Sequence, residues 1–144
     1  WGEGPERGAL ERQVERLGLR ERVSLPGRTE APWEELAQGQ AFVLSSLVEG
    51  FPNVLLEAMA LGLPCAAFDC PSGPREMTRD GQDALLVPAG NRDALREALR
   101  RLLGDAGLRR QLGERGADAV RQRYALASVL AEWDQLFEAV REGR

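Results

Sequence analysis

Glu49-Gly50-Phe51-Pro52-Asn53-Val54-Leu55-Leu56-Glu57 follows the run Ala41-Phe42-Val43-Leu44-Ser45-Ser46 and leads into Ala58-Met59-Ala60-Leu61-Gly62. A short apolar run, a tight loop and a helix in that order predict a strand feeding directly into a helix. Gly50 reaches backbone conformations that other residues resist. Pro52 suits the first helical turn, where a missing N–H costs nothing. The N–H groups of Asn53 and Val54 are then expected to be orphan donors at the helix start. That end carries roughly +0.5 elementary charge and attracts phosphate. Glu57, about one turn further in, can accept hydrogen bonds from a pair of hydroxyls such as those of a ribose. Glu49, ahead of the helix, can serve a second polyol in the same way.

Outward from this stretch, helices and strands alternate. Trp1 to Pro5 reads as the tail of a strand and a turn. Leu10, Val14 and Leu17 are spaced for an amphipathic helix over 6–17, with Gly18 as its stop. Residues 22–25 alternate as a short strand, and Gly27-Arg28 open the loop beyond it. Residues 32–37 form a short helix, with Trp33 or Leu36 facing inward. The 41–46 run is wholly apolar up to its serines, which predicts a central strand. Gly62 and Leu63-Pro64 end the helix that follows. Residues 65–69 form another buried strand, and Cys70 to Met77 a loop entering a short helix. Asp80-Gly81 signals a turn, and 84–88 is the last strand. Asn91 and Asp105 cap two helices, and a third runs on from Ala127. This order predicts an α/β fold: a doubly wound, Rossmann-like parallel sheet covered on both faces. Gly27-Arg28, Ser46 to Asn53 and Asp69 to Glu76 all fall at carboxyl ends, where ligands bind at a switch point in strand order. They are expected to converge on one crevice.

The chain of 144 residues is 43% hydrophobic, enough for one domain with one core. A net charge of −4 offers no basic stripe for nucleic acid. No apolar run approaches the roughly 20 residues of a membrane span, and no signal peptide is recognisable. All of the basic residues are arginine. With no histidine, imidazole acid–base and triad chemistry within this chain is excluded. Cys65 and Cys70 are too few for a metal site, and they read as buried small side chains rather than a disulfide.

Glu-x7-Glu across a Gly-containing strand-to-helix loop resembles the signature of the family 4 retaining glycosyltransferases with the GT-B fold. EGFPNVLLEAMALGLP carries most of the likeness and CPSGPREMTRDGQDALLVPAGN the rest. The resemblance implies that residues 1–144 are the C-terminal, donor-binding half of a GT-B enzyme, with the first strand and the acceptor-binding N-terminal domain outside the chain. It implies transfer of a sugar from a nucleoside diphosphate sugar to a glycan or lipid-linked acceptor, with retention and without metal or cofactor. Glu49 would hold donor sugar hydroxyls as the catalytic residue. Gly50, Phe51, Pro52, Asn53 and Val54 would wrap the sugar and diphosphate, Glu57 would hold the ribose, and Gly27 and Arg28 would border the nucleobase. Pro71 to Glu76 would flank the crevice. The family's Arg and Lys diphosphate clamp has no counterpart here, since its loop would precede Trp1. The resemblance further implies a cytoplasmic parent that can associate with the membrane surface, and a final helix whose stripe of Trp133, Leu136, Phe137 and Val140 is left partly exposed. The alternatives are a truncated, non-catalytic nucleotide-sugar-binding or interaction domain, and another GT-B protein such as a nucleotide-sugar epimerase, against which Glu-x7-Glu speaks.

Overall fold

A computed structural model describes residues 2–143; Trp1, in the expected strand tail, lies outside them. The chain divides after Pro32 into two compact units.

In the first unit α1 spans Arg7–Arg16. It stops at Gly18, whose φ is +65°. The Gly18 N–H reaches the Glu15 carbonyl and the Leu19 N–H the Val14 carbonyl, the paired bonds of a Schellman end. The expected strand over 22–25 does not form. Its polar groups are used elsewhere: the Val23 N–H bonds to the Leu19 carbonyl, and the Arg7 guanidinium donates to the Leu25 carbonyl at 2.6 Å. Pro26 has no N–H to offer. Little is left for a ladder.

α2, Pro32–Ala37, begins at that boundary, and from it Leu36, not the exposed Trp33, packs inward in the second unit. Its sheet comprises β1 Phe42–Leu44, β2 Cys65–Asp69 and β3 Leu85–Pro88. All pairings are parallel, in the order β1-β2-β3. The described sheet therefore has three strands where four were expected, and β1 is shorter than 41–46. Between them lie α3, Asn53–Ala60, and α4, Pro74–Met77; α5 Arg92–Gly104, α6 Ala106–Arg123 and α7 Leu126–Arg141 follow. The Asn91 and Asp105 side chains accept the Ala94 and Leu108 N–H groups at 3.0 and 2.9 Å, as expected of N-caps.

Side chains alternate across β2. Cys65 and Ala67 join Leu44, Leu55, Met59 and Met77 on one face. Ala66 and Phe68 join Leu95, Ala98, Leu102 and Leu112 on the other. Both faces are thus covered, as in a Rossmann-like fold. The strand order runs in sequence, so no reversal occurs among the described strands; α3 and α4 share one face and α5 takes the other. α6 passes between them, with Leu112 in the second cluster and Val120 and Tyr124 against the first. Gly113 lets it do so, since a Cβ there would strike the Gly62 carbonyl.

Candidate functional site

Because the strands are parallel, the loops after Leu44, Asp69 and Pro88 leave the same edge of the sheet. The first of these loops ends in a tight inverse γ-turn. Pro52 has φ −74° and ψ 76°, and the Asn53 N–H bonds to the Phe51 carbonyl at 2.8 Å. Pro52 is thereby the N-cap rather than a residue of the first turn, and Asn53 is not an orphan donor. The locked φ of proline suits the turn as well as it suits a helix. The Leu55 N–H bonds to the Pro52 carbonyl at 2.9 Å. The N–H groups of Phe51 and Val54 have no partner among the described residues.

Leu55, Ala58 and Met59 bury the inner face of α3. Val54 and Glu57 are three positions apart, one above the other on the helix surface. Glu57 is half-buried, and its carboxylate makes no hydrogen bond or ion pair among the described residues. Glu49 is half-buried too. It lies close to the end of β2: burial pushes the Cys70 thiol up, and the negative charges of Glu49 and Asp69 add to that, against a lowering backbone hydrogen bond.

The loop after β2 comes up beside the first. Gly73 has φ +116°, and a Cβ on it would lie 2.5 Å from Pro52 Cδ, so only glycine allows this approach. Arg75 pairs with Asp69 at the end of β2 and sits 3.4 Å from Asp80. A cavity of about 630 Å³ opens here, bounded by Asp69, Cys70, Pro71, Arg75, Glu76 and Asp80. Arg75 is the cation at this cavity, but it is committed to carboxylates.

The structure brings Glu49, Phe51, Pro52, Val54 and Glu57 to one loop and the helix it opens, with Gly50 exposed at the loop and Asn53 exposed behind Pro52. Gly27 and Arg28 belong to the first unit. There Gly27 is buried with φ +88° and accepts from the Gly2 N–H at 2.7 Å; Arg28 is exposed. Three features escaped the sequence reading. Leu47 and Val48 join Phe51 as exposed apolar side chains of the β1–α3 loop, 60%, 77% and 53% accessible. The Asp83 carboxylate is fully buried and gripped by Arg79 through two bonds of 2.6 and 2.7 Å, which closes the turn before β3. Arg123 and Tyr124, at the end of α6, reach the site loops. Only the i to i+4 spacing of Arg79 and Asp83 gave any sign in the sequence.

Parallel strands buried on both faces, with donors and unpaired carboxylates at their carboxyl edge, define a Rossmann-like α/β domain fitted to a polar ligand. The chain belongs to the glycosyl transferases group 1 family, whose model matches residues 1–105. It is 39% identical over 138 residues to an exopolysaccharide phosphotransferase of Streptomyces coelicolor, covering 95% of this chain and 14% of that protein. It is 35% identical over 137 residues to the lipopolysaccharide core biosynthesis glycosyltransferase LpsD of Rhizobium meliloti, covering 95% of this chain and 40% of the other. Among solved structures, a point mutant of TarM from S. aureus, crystallised with fondaparinux, alpha-GlcNAc-glycerol and UDP, superposes with a TM-score of 0.86. That match is 26% identical and covers 94% of this chain and 28% of TarM. The chain thus spans less than half the length of these proteins.

Proposed function

We propose that this chain is the C-terminal, donor-binding half of a family 4 retaining glycosyltransferase. The whole enzyme moves a hexose or N-acetylhexosamine from a nucleoside diphosphate sugar to a glycan or lipid-linked acceptor held by a second domain. The bond from the anomeric carbon to the diphosphate breaks, a bond to the acceptor oxygen forms on the same face, and the acceptor proton leaves with the diphosphate. Glu57 accepts the ribose hydroxyls. The Phe51 and Val54 N–H groups, in the loop shaped by Gly50 and Pro52, face the diphosphate. Glu49 accepts the sugar hydroxyls. Asn53 has its N–H engaged and contributes through its exposed side chain. No metal or further cofactor takes part. The enzyme works in the cytoplasm, at the membrane face where its acceptor is lipid-linked.

The observation that carries this reading is the half-buried Glu57 carboxylate, unpaired among the described residues and three positions along the helix from Val54, whose N–H is also without a partner among them. A Glu that served only to hold the fold would be paired or fully solvated, and Glu57 is neither among the described residues. UDP in the TarM structure gives the reading its ligand class. Isothermal titration of UDP and GDP against the full-length protein tests it. Glu57→Gln keeps shape and removes charge, and affinity is expected to fall roughly 5- to 150-fold, or about 1–3 kcal/mol. Glu49→Gln lowers turnover more than nucleotide affinity, because its partner is the sugar. Equal affinity in wild type and Glu57→Gln, with the circular dichroism spectrum unchanged, removes Glu57 from the site.

A further inference from the structure

The two site loops are held from behind by the last turn of α6. Arg123 Nη1 donates to the Glu76 carbonyl at 3.0 Å and lies 3.4 Å from that of Met77. These are the final carbonyls of α4, a helix of four residues, and the Glu76 carbonyl also accepts the Arg79 N–H at 3.2 Å. The neighbouring Tyr124 ring meets Phe51 edge to face, with centroids 6.5 Å apart at 66°. The Arg123 guanidinium carbon lies 5.1 Å from the Tyr124 ring centre, so the two side chains also hold each other. One grips the loop after β2 and the other the loop after β1. The Gly73–Pro52 contact joins the same two loops directly.

We propose that Arg123 and Tyr124 are positioning residues that set the register between the β1–α3 loop and the β2–α4 loop. They thereby aim the Val54 N–H and the Glu49 and Glu57 carboxylates at one ligand. Neither touches the ligand itself. That the ligand is a sugar nucleotide rests on the reading above; the brace does not.

The test has two arms, both on the full-length protein. The first is amide hydrogen exchange without ligand, in Arg123→Met and Tyr124→Leu. Exchange is expected to rise about tenfold at 50–55 and 74–79 while β2 and α5 keep their protection, because loops open locally before the core does. Unchanged exchange in both loops, or an equal rise through the whole sheet, overturns the brace. The second arm is UDP and GDP affinity. Tyr124→Leu is expected to weaken the bound nucleotide about 3- to 10-fold, and Tyr124→Phe, which keeps the ring contact, restores wild-type affinity. Loosened loops with unchanged affinity overturn the positioning role. Loops that loosen as expected in a wild-type background that binds no sugar nucleotide leave the brace standing and overturn the donor reading instead.

Discussion

Cys65 shows what burial does to a single side chain. It lies on the central strand with no accessible surface, and its thiol is pushed up from 9.0 to about 12 by loss of solvation. Its Sγ lies 3.2 Å from the Leu63 carbonyl, a partner for the neutral thiol only. In the unfolded chain the thiol ionises near its ordinary value, so above pH 9 the unfolded state loses a proton that the folded state keeps. The stabilisation is complete below pH 9 and is lost as pH rises towards 12, by up to about 1.4 kcal/mol per pH unit. Urea unfolding from pH 8 to 10.5 should show this fall, and Cys65→Ala should flatten it. The raised Cys70 and Tyr124 groups leave a smaller slope of the same sign. An unaltered slope in Cys65→Ala would locate the effect elsewhere. Asp83 is buried in a different way, with its carboxylate held by two hydrogen bonds from the Arg79 guanidinium.

At the scale of elements, the helix ends follow local rules and the helix contacts do not. α3 stops as α1 does: Gly62 has φ +75°, its N–H reaches the Met59 carbonyl, and the Leu63 N–H reaches the Ala58 carbonyl. The same Gly62 then lies under α6, whose Gly113 and Gly116 are buried against the end of α3. Gly113→Ala should raise helix propensity by about 1 kcal/mol. It should nevertheless destabilise the protein by about 1–3 kcal/mol, because the new methyl meets backbone that cannot rotate away. Gly107→Ala, close to the start of the same helix and near only the Asp105 side chain, is the control. Thermal melts in which Gly113→Ala is neutral or stabilising would show that the two helices can separate freely.

At the scale of the molecule, the apolar surface is unevenly disposed. α7 carries no buried residue, and Trp133, Leu136, Phe137 and Val140 are 51%, 52%, 63% and 68% accessible. Trp133 and Phe137 pack on each other, with centroids 5.7 Å apart. A stripe of this size is more than scattered surface residues provide, as the resemblance implied for the final helix. The groups proposed to hold the donor lie at one sheet edge, and the proposed reading places the acceptor on a second domain. Transfer depends on holding donor and acceptor together, which contributes about 7–11 kcal/mol to such reactions. The purified 144-residue chain is therefore expected to show no sugar transfer from UDP-, GDP- or ADP-sugars. Turnover proportional to its concentration would refute the division into donor and acceptor halves.

Much of this was legible in the sequence because it is local. Gly18 and Gly62 stop helices through their own φ, Asn91 and Asp105 cap helices through side chains three residues away, and the apolar Cys65–Phe68 run marks a strand covered on both faces. The Glu49 to Glu57 spacing placed one carboxylate before the helix and one on its outer surface in the same way. What only the tertiary structure decided depends on partners distant in sequence or on competition for one hydrogen bond. Residues 22–25 alternate like a strand, yet Arg7, 18 residues away, takes the Leu25 carbonyl. Pro52 fits a helix start and a γ-turn equally well, and the Phe51 carbonyl settled the choice by taking the Asn53 N–H. Arg123 finds its carbonyl 47 residues away. No periodicity records such a contact, because a side chain's reach across the fold is set by where the backbone of another element has already been packed.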